Sequence, residues 1–232
     1  MRTIYPGSIG LICMLFLTTF SMNTSASVVI KGTRVIYKSD RQEVSVKLEN
    51  MGAIPVLIQS WVDEGDIDAR PDDIKSPFIL TPPINRLDPG KGQTLRLRYV
   101  GSQLPMDKES VFWLNVLEIP AKKKLAKDNN SLQMAFRSRL KIFYRPASLS
   151  GLPHEAVKFV SWQKRQNGVE AKNSSPYFIS FASLSLAGNS IDGDMIPPKS
   201  SKLFKLKGSA NQVKGTYVND YGAIIPFESN LN

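Results

Sequence analysis

From Ser131 to Pro146 the chain reads SLQMAFRSRLKIFYRP, its longest run of two-residue alternation. Leu132, Met134, Phe136, Ser138, Leu140, Ile142 and Tyr144 share one face; Gln133, Ala135, Arg137, Arg139, Lys141, Phe143 and Arg145 share the other. A period of two marks a strand, because successive side chains leave a pleated backbone on opposite sides. At about 3.3 Å per residue the run would extend on the order of 45 Å, whereas most strands cover roughly 17–20 Å. One small sandwich does not cover that length. If Leu140 and Ile142 fill the chain's own core, Leu132, Met134 and Phe136 continue the same face beyond it as an exposed apolar row. The competing reading is a long central strand whose apolar residues all lie in its own core. An exposed apolar edge strand is an aggregation hazard, so a long one is expected to serve binding by adding a strand to another protein.

The N-terminus carries one early cation, Arg2, then an apolar run from Ile9 to Phe20, then small and polar residues up to Thr24-Ser25-Ala26. This pattern reads as a secretory signal over residues 1–26, cut after Ala26; the run is short for a membrane span. The single cysteine, Cys13, falls inside it, so the mature chain is expected to be exported, without membrane insertion, and without disulfides. The remaining 206 of 232 residues suffice for two ordinary domains. Net charge is +10, or +9 without Arg2. The cations are dispersed, and the densest run, Lys122 to Lys127, precedes Asp128-Asn129-Asn130 as in a solvated loop; nucleic acid is therefore not expected as a partner.

In chain order, Val28 to Ile30, Thr33 to Tyr37, Glu43 to Leu48, Pro55 to Val62, Gln93 to Tyr99 and Val111 to Ile119 read as strands, with a brief extended piece at Pro77 to Leu80. Asp63 to Asp73 reads as an acidic loop, Pro82-Pro83 excludes a helix, and Asp88-Pro89-Gly90 is a turn. Seven or eight short strands at this spacing predict an immunoglobulin-like sandwich over 27–146. Residues 147–153 have the composition of a linker, and 154–232 open a second series: Ala156 to Trp162, Gly168 to Lys172, Tyr177 to Leu186, Lys202 to Lys207, Gly215 to Val218 and Ala223 to Phe227. The second unit is expected to be a β-sandwich or barrel.

Nothing in the sequence assembles a catalytic set, so the chain is not expected to be an enzyme. The one histidine, His154, has no partners at recognisable spacing for a triad or a metal. Gly90-Lys91-Gly92-Gln93-Thr94 lacks the phosphate-loop order. Ser161-Trp162-Gln163-Lys164 matches a serine-nucleophile tetrapeptide, but without its companion motifs and on an expected strand. No cofactor is implied.

The run Leu104 to Pro120, LPMDKESVFWLNVLEIP, closely resembles the signature of the periplasmic pilus chaperones, the PapD-like family. Thr33 to Tyr37, Thr81-Pro82-Pro83 and Lys141 to Pro146 resemble further landmarks in the same order, and Tyr217 to Ala223 resembles one in the second domain. The short stretch between Pro120 and the alternating run resembles the short-loop branch of that family.

The resemblance implies an all-β protein of two immunoglobulin-like sandwiches set at an angle around a cleft. It would hold pilin (fimbrial) subunits in the periplasm by lending them a strand, and pass them to an outer-membrane usher. Leu132, Met134 and Phe136 would then enter the subunit's groove, Phe136 being bulkier than the usual aliphatic residue. Arg34 and Lys141 would bind the subunit's terminal carboxylate and set register. Glu109, Arg145 and Asp220 would form a charged network between domains. Leu57, Pro82, Pro83, Ile84 and Ile119 would form a patch facing the usher, against the plain reading of Leu57 and Ile119 as core. Self-association of the free protein is a further expectation. The alternative function is a secreted immunoglobulin-like structural or adhesive pilus subunit. Such a subunit should carry its donor extension at the mature N-terminus, whereas here the apolar row is internal.

Overall fold

The computed structural model describes residues 27–101, 103–121 and 133–232; the expected signal, the lysine-bearing loop and Leu132 lie outside them. Among the described residues the first half contains nine strands: β1 (Val28–Ile30), β2 (Arg34–Lys38), β3 (Val44–Asn50), β4 (Val56–Asp63), β5 (Phe78–Thr81), β6 (Ile84–Leu87), β7 (Gly92–Tyr99), β8 (Ser110–Pro120) and β9 (Phe136–Arg145). They form a four-stranded sheet in the order β1-β3-β7-β5 and a five-stranded sheet in the order β2-β9-β8-β4-β6. Between them lies one core, in which Leu48, Ile58, Leu95, Leu97, Leu114 and Ile142 are almost fully enclosed. Alternation explains the packing: in β4 Val56, Ile58 and Val62 point inward while Leu57 points out. The unexpected strand is β6, a four-residue piece directly after Pro82-Pro83 whose Arg86 points to solvent.

The second half holds β10 (Val160–Arg165), β11 (Gly168–Asn173), β12 (Ile179–Leu186), β13 (Asn189–Asp192), β14 (Met195–Ile196), β15 (Ser200–Phe204), β16 (Gln212–Val218) and β17 (Ile224–Asn230). A three-stranded sheet, β10-β11-β15, faces a five-stranded one in which β14 pairs beside the path β13-β12-β16-β17. Its core is built on Trp162, which stacks on Phe227 with ring centres 6.0 Å apart and leans on Phe181 at 5.5 Å. The strand expected at Ala156 to Trp162 starts only at Val160. Pro153–Phe159 is a 3₁₀ turn with Pro153 at its start and the acidic Glu155 in its first turn, two features that favour a helical beginning.

The two sandwiches meet along β9. Phe143, on the outward row of its sheet, is buried against Phe178 of the second sandwich at 5.7 Å between ring centres. The amide of Glu109 donates to the carbonyl of Pro176 (2.9 Å). The tip of the β16–β17 hairpin also rests on the first sandwich: at Gly222, φ +84°, a Cβ would stand 2.4 Å from the Thr33 hydroxyl, so no larger residue fits without displacement.

Candidate binding site at the free edge of β9

Strand β9 is anchored at one end and open at the other. Its C-terminal half pairs in parallel with β2, from Arg34 opposite Lys141 to Lys38 opposite Arg145. On its other side it pairs with β8 along its length, Phe136 lying opposite Glu118 and Tyr144 opposite Ser110. Residues 136–140 therefore have β8 on one side and, among the described residues, no strand on the other. The backbone groups of that edge are available to an incoming strand. The apolar face divides at the same place: Leu140 and Ile142 are 6% and 0% exposed, whereas Phe136 and Met134 are 59% and 55% exposed. Among the described residues the pairing begins at Phe136, opposite Glu118, two residues before β8 ends at Pro120.

Arg34 and Lys141 lie side by side at the inner end of this edge, where β2 begins. Arg34 donates from Nη1 to the carbonyl of Val218 in the second sandwich (2.9 Å), while its buried Nε has no partner. Among the described residues, neither cation forms an ion pair with an acid. Burial lowers the pKa of Arg34, partly offset by the charge of Asp220. Burial also lowers that of Lys141, and the neighbouring Arg34 lowers it further, partly offset by the charge of Asp194. Two half-buried cations with no carboxylate in direct contact favour an anion between them, since an arriving carboxylate relieves both desolvation and mutual repulsion.

Four residues along the same row, Arg145 has the opposite surroundings. It donates from Nε to Glu109 Oε1 (2.6 Å) and, through a two-pronged contact, to both carboxylate oxygens of Asp220 (2.7 and 2.9 Å). The second Glu109 oxygen accepts the amide of Phe178 (2.8 Å), and Tyr177 lies 5.4 Å from the guanidinium. Burial works against the Arg145 cation, but its bonds to Asp220 and the charge of Glu109 outweigh it and raise the pKa above the ordinary value. Burial raises the Glu109 carboxyl, with Arg145 and the Phe178 amide pulling against it. The three residues singled out in the sequence are thus brought into one network that spans both sandwiches.

A further cluster escaped the sequence reading. Asp63, at the end of β4, is 2% exposed. Its Oδ1 accepts from Arg139 Nη2 of β9 and from the Gly65 amide (2.7 Å), and its Oδ2 accepts from Asn115 Nδ2 (2.6 Å). The Arg139 guanidinium lies 5.0 Å from the Trp113 ring, and Gly65, φ +126°, closes over that ring so tightly that a Cβ would stand 3.2 Å from it. The sequence placed Asp63 at the start of an acidic loop; only the cross-strand alignment of β4, β8 and β9 brings these residues together.

On the far edge of the same sheet, Leu57 lies opposite Ile119 on one side and Arg86 on the other, and Ile84 pairs with Gln59 two residues along. Leu57 is 43% and Ile84 56% exposed, Pro83 is exposed, and Pro82 and Ile119 are half-buried. Leu57 and Ile119 are outward-facing residues, not core.

Residues 27–150 match the family model described as the pili and flagellar-assembly chaperone, PapD N-terminal domain, and residues 155–229 the pili assembly chaperone PapD, C-terminal domain. The chaperone protein FimB/FhaD of Bordetella pertussis is 44% identical over 214 residues, covering 88% of each chain. The crystal structure of the YadV chaperone, a protein of Escherichia coli, superimposes with a TM-score of 0.75 at 43% identity over 89% of this chain and 100% of that one. A structure of the Salmonella enterica SafA pilin in complex with the SafB chaperone gives a TM-score of 0.80 at 25% identity, over 89% of this chain and 97% of its match. With both domain models matched in order across most of its length, the chain belongs to the PapD family of pilus-assembly chaperones.

Proposed function

We propose that this protein is a periplasmic chaperone that captures pilin subunits by lending them β9, and then delivers them to an outer-membrane usher. Residues 1–26 serve as the export leader and 147–153 as the linker. The observation that carries the reading is the pair Arg34 and Lys141, with no carboxylate bonded to either among the described residues, at the closed end of an open, apolar strand edge. A client strand beside residues 136–140 fills the position that β2 occupies beside 141–145. If its terminal carboxylate meets Arg34 and Lys141, the client strand runs towards the start of β2 and so lies parallel to β9. Met134 and Phe136, with Leu132 on the same sequence face, fill the client's groove.

The energetics divide the labour. Each large apolar side chain contributes roughly 1.5–3 kcal/mol on burial, and each charge-assisted hydrogen bond about 1.5–3 kcal/mol. The apolar row and the backbone ladder supply most of the affinity. A strand can slip by two residues and still present the same face, so the cations at a fixed position select one register. The outward residues Leu57, Ile84 and Ile119, with Pro82 and Pro83, provide an apolar surface for the usher on the sheet edge away from the client.

The test is co-purification of a pilin from the same organism with wild-type protein, Arg34→Ala and Lys141→Ala, all expressed in the periplasm. The reading expects a soluble one-to-one complex with wild type and its loss with either variant. Equal capture by all three would refute the carboxylate anchor; no capture by wild type of any pilin tried would refute the chaperone reading.

A further inference from the structure

We infer that Asp63 is a register-selecting residue: by holding Arg139, it removes a second carboxylate anchor that would otherwise compete with Lys141. The inference rests on the donor-strand reading above. Lys141 and Arg139 lie on the same face of β9, two residues and about 6.6 Å apart. That offset is the smallest slip a client strand can make while keeping its apolar residues in the groove. A client displaced by two residues would bring its carboxylate beside Arg139, so a free guanidinium there would reward the wrong register with the same chemistry as the right one.

The geometry holds that guanidinium through its Nη2, while its buried Nε has no partner. Arg139 is bound to the Asp63 carboxylate and laid against the Trp113 ring, and Gly65 closes over the ring. Asp63 is itself held by the Gly65 amide and Asn115, so it cannot turn away to serve another group. Lys141 and Arg34, in the next row, feel Asp194 and Asp220 only at a distance, with no carboxylate bonded to either among the described residues. Direct pairing therefore differs along the strand: Arg139 is bonded to an acid and Lys141 is not. Arg137, one further step out, is exposed, and a solvated cation holds a carboxylate weakly.

Asp63→Asn is the informative change, because the pocket can accept it. Asn115 Oδ1 has no partner and can accept a hydrogen bond from the new amide when the Asn115 side chain turns over, while the Gly65 amide keeps an oxygen acceptor. The substitution removes the charge that holds Arg139 with little change of shape. Register is read by disulfide trapping: Ser138→Cys on β9 is paired with single cysteines walked along the last strand of a pilin co-expressed in the periplasm. With Asp63 present, one pilin position should dominate. With Asp63→Asn, a second position two residues away should rise to a comparable yield. In Asp63→Asn with Arg139→Gln, which removes both the acid and the competing cation, the single position should return.

A single unchanged position in Asp63→Asn would overturn the inference. So would a double variant as heterogeneous as the single one, since that marks a loosened sheet and not a competing anchor. Absence of any preferred position with Asp63 intact would refute the donor-strand reading itself, and the inference with it.

Discussion

Two cationic sites on the outward row of β9 stand four residues apart and are treated in opposite ways. Arg145 is enclosed by Glu109 and Asp220 with every prong engaged, and its contacts bridge the two sandwiches. Lys141, beside Arg34, is half-buried, with no acid bonded to it among the described residues and only the more distant charge of Asp194 acting on it. Burying charge without direct pairing opposes folding, so on the proposed reading the contrast separates a structural site from a binding site. The Arg145 site is complete in the folded protein; the Lys141 site, on that reading, is completed by the client's carboxylate.

The contrast can be broken most forcefully at Arg145. Arg145→Ala leaves Glu109 buried without its partner and should cost about 3–5 kcal/mol, seen as a lower denaturation midpoint, with client capture falling as the domains lose their mutual fix. If stability were unchanged, the network would be no more than a surface contact. Lys141→Met should behave in the reverse way: client affinity falls by about 1.5–3 kcal/mol, roughly ten- to a hundredfold, while the free protein is as stable as wild type or more so. Phe136→Ala should weaken capture by about 1.5–3 kcal/mol with little change in the denaturation midpoint, because the ring is already exposed in the free protein. A large loss of stability there would mean that the ring belongs to the chain's own core.

The smallest effect concerns pH. Because burial and Arg34 lower the Lys141 pKa, the unfolded chain holds more protons than the folded one in the window between that lowered value and the ordinary lysine value. Stability contributed by this position therefore rises with pH through the window, relative to Lys141→Met. Client affinity moves the other way as the charge is lost. Parallel denaturation and binding titrations in alkaline buffer would show the two trends diverge; if they moved together, Lys141 would not be the carboxylate's partner.

The alternation of β9 announced its strand, its buried Leu140 and Ile142, and its outward cations, because a period of two survives in sequence. The division into an anchored and an open half followed from length, and the exposure of Met134 and Phe136 agrees with it. Arg34, Lys141, Glu109, Arg145 and Asp220 were found through resemblance alone: 75 residues separate Arg145 from Asp220, and no local pattern links them. Asp63 was missed for the same reason, with 76 residues between it and Arg139, and because its acidic neighbours made it look like loop. Strand β6 was missed because four residues after two prolines are too few to show a period. The 3₁₀ turn at Pro153–Phe159 was mistaken for strand because its apolar residues ran on into β10.

The most direct test of the central claim moves the carboxylate and leaves the chaperone alone. Capture is measured for a pilin with its natural C-terminus and for the same pilin extended by a few polar residues, whose carboxylate no longer falls beside Arg34 and Lys141. The extended pilin should be captured at least tenfold more weakly, and Lys141→Met should reduce capture of the natural pilin but scarcely affect the extended one. Equal capture of the two pilins by wild-type protein would contradict a carboxylate anchor at Arg34 and Lys141.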